Sequence, residues 1–150
     1  KEIKNKTIIR TMPFTKIKDT DFFSKITKNF KSDNIQNIFQ LYQKSKLVIH
    51  VLNSTSLIET LNLNIPSIII FSKDEKFSNI GTKVFKKLKK ANIFFDDSKE
   101  AYKFVNKIWN NGVETWWNSS EVQKAVRYFN LNFSKKRTNV LSDLKKILEN

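Results

Sequence analysis

A Rossmann-like three-layer α/β domain with a mostly parallel sheet and trailing C-terminal helices is expected, on three observations. Two short apolar runs rich in β-branched residues, 47–51 and 67–71, read as buried strands. Between them, hydroxyl residues and then Pro66 bracket a stretch of about two to three helical turns. That is one βαβ unit, the building block of a parallel sheet. Strand-like and helix-like segments then keep alternating downstream.

The elements follow in order. Residues 7–10 form a first strand, closed by Met12 and Pro13. Phe22, Phe23, Ile26 and Phe30 recur at helical spacing. Ser32, Asp33 and Asn34 offer a cap for a second helix with Ile35, Ile38, Phe39 and Tyr42 on its apolar face. The central βαβ unit comes next, followed by a polar loop at 72–75. Ile80, Val84 and Leu88 mark another helix, and Ile93, Phe94 and Phe95 a short strand. Asp97 and Glu100 fit a capping box for a helix with Ala101, Phe104, Val105, Ile108 and Trp109 inward, ended by Gly112. Ser119 or Ser120 opens a helix with Val122, Val126, Phe129 and Phe133 inward. A last helix carries Val140, Leu141, Leu144, Ile147 and Leu148.

Composition excludes several classes of chemistry. The 150 residues are 39% hydrophobic and 13% aromatic, enough for one domain, 1–150, with a real core. No apolar run approaches the roughly 18–20 residues of a membrane span. There is no cysteine, so thiolate metal sites, disulfides and cysteine nucleophiles are out. One histidine cannot build a His-based metal centre, and two glycines leave no glycine-rich phosphate loop. Neither a metal nor a cofactor is implied. The formal net charge is +14, and three arginines (Arg10, Arg127 and Arg137) leave lysine as the other 25 of 28 basic residues. Base readout favours arginine, so no specific nucleic acid is expected. The lysines read first as a solvated surface and second as an attraction toward anionic substrate or membrane.

The candidate site is the turn Asn53, Ser54, Thr55 and Ser56. It joins the C-terminal end of a strand to the start of a helix, where open α/β sheets bind ligands and free N–H groups favour phosphate. The hydroxyls serve a ligand or cap the helix; Ser56 and Glu59 fit a capping box. Glu59 is thus either a capping residue or a ligand contact. Asn53 caps the turn or touches ligand. His50 faces opposite Ile49 and Val51, either as a satisfied sheet-end histidine or as a contact to the bound group. Arg10 ends the first strand on the same rim, suited to a diphosphate or to a surface ion pair. Trp109, Trp116 and Trp117 read as packing residues. The lysines at 86, 87, 89 and 90 read as an outer helix face.

The pattern from His50 through the Asn-Ser-Thr turn and Glu59 to Pro66 resembles the nucleotide-sugar half of GT-B glycosyltransferases. The likeness is nearest to a family assigned to bacterial surface-polysaccharide transfer. Capsule-type Kdo transferases and sialyltransferases carry a similar Ser-Ser or Ser-Thr phosphate turn. Ile108-Trp109, Trp116-Trp117-Asn118-Ser119, Glu121-Val122-Gln123 and Phe129 fit that family's aromatic C-terminal segment, and Ile9-Arg10 with Pro13 fits its opening strand. Before the proline, where the family has Gly or Ala, this chain has Asn64 and Ile65.

The resemblance implies the donor-binding C-terminal half of a GT-B transferase. It would move a sugar or related group from a nucleotide-activated donor to a cell-surface glycan. The N-terminal acceptor domain would lie in the same, longer chain, leaving the fragment inactive alone. Its phosphate contacts would come from the Ser54-Thr55-Ser56 turn, and Glu59 would meet ribose hydroxyls. The expected place is the cytoplasm, with peripheral association at the inner membrane face. Two other classes stay open: a non-catalytic Rossmann-like binding or regulatory module, and a basic nucleic-acid-binding domain.

Overall fold

The computed structural model describes Ile8, residues 37–51, residues 53–134 and Leu148. Arg10, the strand expected at 7–10, the helical pattern of Phe22, Phe23, Ile26 and Phe30, and the last helix therefore lie outside the described residues, apart from Ile8 and Leu148. The chain divides into two units, Lys1–Leu41 and Tyr42–Asn150. The account below concerns the second, with helix α1, Ile38–Lys44, running across the division.

Three short strands make the sheet: β1 (Val48–His50), β2 (Ser67–Ile70) and β3 (Phe94–Phe95). All pairs are parallel, in the order β1-β2-β3. The connecting helices are α2 (Thr55–Asn62) and α3 (Asn79–Lys90). After β3 come α4 (Ser98–Ile108), α5 (Val113–Trp117) and α6 (Ser120–Phe133). The expected Rossmann-like α/β architecture is therefore present, each strand shorter than its apolar run.

The pleat divides the core in two. His50 pairs with Ile69, and Ile69 with Phe94, so these side chains share one face. That face packs against Leu57 and Leu61 of α2, Val84, Phe85 and Leu88 of α3, and Val122, Val126 and Phe129 of α6. Ile68 and Phe95 point the other way, onto Ala101 and Val105 of α4. Two successive βαβ units wound in one sense put their helices on one face, which leaves the opposite face to α4.

One helix, α5, was not expected from the sequence; the other differences lie at helix ends and turns. Ile80 is 57% exposed, and the inner stripe of α3 begins instead at Gly81. A Cβ on Gly81 would stand 3.1 Å from Phe77 Cβ and 3.3 Å from Ser78 Oγ, so glycine lets the capping turn approach closely without displacing either neighbour. Phe133, the last residue of α6, is 39% exposed. Helix α4 stops at Ile108, short of Gly112, whose added Cβ would lie 3.2 Å from Ile108 Cα. Asn64 takes φ 57, the left-handed conformation that glycine supplies readily. Asparagine thus satisfies the turn before Pro66 without the glycine of the resembling pattern.

Candidate functional site

The C-terminal ends of the three strands define one rim. After β1 comes the turn at 53–54 and the start of α2; after β2, the exposed loop at 72–76; after β3, Asp96 and Asp97. Charge is unequal along it. Asp96 is held ionised by its 2.7 Å ion pair with Lys89, which pulls its pKa down. Asp97 is lowered by the backbone N–H groups of Lys99 and then Glu100, which it caps. The β3 end therefore presents two ionised carboxylates, one of them paired with Lys89. The turn after β1 carries no carboxylate, and the first turn of α2 carries none either. An anion on this rim is favoured at the β1–α2 corner.

At that corner four polar side chains are tied together. His50 is 6% exposed at the end of β1. Its Nε2 lies 2.8 Å from Thr60 Oγ1, on the fully buried face of α2. Its Nδ1 lies 3.4 Å from Ser56 Oγ, which in turn is 2.7 Å from Ser54 Oγ. The Thr60 hydroxyl donates to the Leu57 carbonyl at 3.2 Å. Burial pushes the His50 imidazole down to about 4, because the charged form loses its hydration there. It is neutral at physiological pH, and both ring nitrogens have protein partners.

The structure places the predicted residues unequally. His50, Ser54 and Ser56 come together. Asn53 and Thr55 are exposed at the rim beside them. Ser54 occupies the N-cap with extended backbone, and its side chain makes no cap hydrogen bond. The capping box read from Ser56 and Glu59 is therefore not formed: Ser56 sits inside the first turn with its hydroxyl committed to Ser54 and His50. Glu59 accepts from the Tyr42 hydroxyl at 3.5 Å instead. Arg10 lies outside the described residues.

Thr60 was not singled out by sequence reasoning. Its signal is a hydroxyl residue among Leu57 and Leu61 on the inner stripe of α2, opposite the chain's single histidine. The tryptophans pack as expected. Trp117 Nε1 donates to the Asn64 carbonyl at 3.0 Å, and Trp116 Nε1 to the Ala91 carbonyl at 3.0 Å. Lys46 lies over the Trp109 ring, 5.2 Å from its centroid. Among the described residues no group of three or more His, Asp or Glu side chains is arranged to hold a metal ion. No described helix is long and apolar enough to cross a membrane.

The sequence model of the LIC12162 family transferase matches residues 1–148, nearly the whole chain, and the chain belongs to that family. No curated protein and no solved structure matches it.

Proposed function

We propose that this LIC12162-family transferase holds the phosphate of a nucleotide-activated donor at the β1–α2 corner, as the donor-binding half of a GT-B-type glycosyltransferase. The transferred group is a sugar or a related group, and the acceptor a cell-surface glycan. One observation carries the reading: an Asn-Ser-Thr turn, exposed at Asn53 and Thr55, opens a helix whose first turn carries no carboxylate, at the C-terminal rim of a parallel sheet. In the transfer the acceptor hydroxyl attacks the anomeric carbon while the bond to the donor phosphate breaks. The N–H groups opening α2, with the Thr55 hydroxyl, meet the charge that builds on the departing phosphate. Arg10 is assigned to the same phosphates, Asn53 to the turn, and Glu59 to the ribose hydroxyls. His50 acts behind Ser56 and Ser54, since its ring nitrogens are engaged and its low pKa unsuits it to take the acceptor proton. That base belongs to the acceptor half. Exposed Lys83, Lys86, Lys87 and Lys90 on α3 suit an anionic inner membrane face, in keeping with a cytoplasmic place.

The test separates a phosphate site from a mere helix start. Thr55→Asp adds a carboxylate to the first turn, which favours the helix by about 0.3–1 kcal/mol. The same carboxylate repels a phosphate. The expected result is unchanged or raised thermal stability together with at least tenfold weaker binding of UDP or CMP, whichever the unaltered chain binds better. Equal nucleotide affinity in the variant would remove the assignment.

A further inference from the structure

We infer that His50 is a tautomer-locked positioning residue, fixed in the Nε2–H form by Thr60, which turns the hydroxyl protons of Ser56 and Ser54 inward. The argument is one of direction. A hydroxyl has a single proton. Thr60 gives its own to the Leu57 carbonyl, so toward Nε2, at 2.8 Å, it can only accept. Nε2 must then carry the hydrogen. A neutral imidazole with Nε2–H offers Nδ1 as a bare acceptor, so Ser56 donates to it across 3.4 Å. The Ser56 proton being engaged, the 2.7 Å contact with Ser54 requires Ser54 to donate.

Four hydrogen bonds thus run one way, from Ser54 through Ser56, His50 and Thr60 to the Leu57 carbonyl. Reversing the direction removes the Thr60 to Leu57 bond and leaves the Ser54 proton without an internal acceptor. The inward direction therefore makes one more internal bond. Burial of Thr60 and His50 keeps water from supplying the difference at the far end of the relay. Low basicity of the ring keeps it neutral, so the two-donor imidazolium does not intervene.

The consequence is a division of labour at the turn. Ser54 Oγ presents lone pairs and takes a ligand group that brings its own proton, such as a sugar hydroxyl. Phosphate oxygens are left to the backbone N–H groups and to Thr55. This consequence rests on the donor-phosphate reading; the tautomer does not.

The chain has one histidine, so its imidazole nitrogens give a single pair of resonances. Long-range proton–nitrogen correlation on the ligand-free chain at pH 7 is expected to show a pyridine-like Nδ1 and a pyrrole-like Nε2. Thr60→Ser, which keeps the hydroxyl, should retain that pattern, as should Ser56→Ala, which only empties Nδ1. Thr60→Val should move it to a mixture or invert it. A pyrrole-like Nδ1 or averaged shifts in the unaltered chain overturn the assignment, and so does a Thr60→Val spectrum unchanged from it. Should Thr60→Val fail to fold, the unaltered chain and Thr60→Ser still decide. Because no ligand is added, failure of nucleotide to bind defeats the proposed function and leaves this result standing.

Discussion

Burial holds the His50 imidazole near a pKa of about 4, against an ordinary value of 6.5, and this ties one side chain to the stability of the whole chain. Between those two values the unfolded chain binds a proton that the folded chain refuses. Stability is therefore full above about pH 6.5 and is lost as pH falls toward 4. The shift corresponds to roughly 3 kcal/mol. Urea unfolding at pH 7 and at pH 4.5 should show the loss, and His50→Gln should show a much smaller one, though it starts from lower stability. Equal slopes in the two proteins would mean the imidazole is hydrated in the fold. Residue by residue, the site was partly legible. The turn at 53–56 stood out because hydroxyl residues, a strand end and a helix start coincide in sequence. Thr60 did not, because a threonine on an apolar stripe reads as filler until the strand opposite is known to bring an imidazole to it.

At the scale of elements, the turn from α2 to β2 depends on one asparagine in a left-handed conformation. Asn64, with φ 57, accepts from Trp117 Nε1 at 3.1 Å and from Gln123 Nε2 at 3.2 Å through its side chain. Asn92, with φ 56, occupies the matching turn before β3, and its exposed side chain makes no such bonds. The two positions should respond unequally. Asn92→Gly relieves the backbone and should change stability by less than about 0.5 kcal/mol. Asn64→Gly relieves the same strain but strips α5 and α6 of an acceptor, at a cost of roughly 1–2 kcal/mol. Thermal unfolding of both variants checks this, and an equal response would show that the Asn64 side chain anchors nothing. The three described strands and the helices α2, α3, α4 and α6 were legible, since periodicity and caps act locally, whereas the five-residue α5 is too short to show a period. This turn was not: asparagine signals many loop conformations, and only packing of Trp117 against residue 64 selects this one.

At the largest scale, the described residues of the second unit join a C-terminal rim to a core split across both faces of the sheet. On the proposed reading the acceptor and the catalytic base come from the other half of a GT-B pair. The 150-residue chain alone should therefore bind nucleotide weakly and transfer nothing. Donor consumption in the presence of glycan acceptor, followed by release of free nucleotide, measures this. Turnover by the isolated chain would show that the site is complete within it.

The positions of the indoles have a practical consequence for such measurements. Trp116 and Trp117 bond to the carbonyls of Ala91 and Asn64, both just ahead of the strands that follow them, and Lys46 brings Trp109 to the matching end of β1. All three emitters thus lie at the N-terminal edge of the sheet, while ligands are expected at the C-terminal edge. The four residues of β2 separate the two edges by about 13 Å, at roughly 3.3 Å per residue. Tryptophan emission will report melting of the helical layer sharply and nucleotide binding hardly at all. A titration followed by intrinsic fluorescence can stay flat while the site fills, so an optical probe for donor binding has to be installed on the loop after β2, for instance as Ser72→Trp.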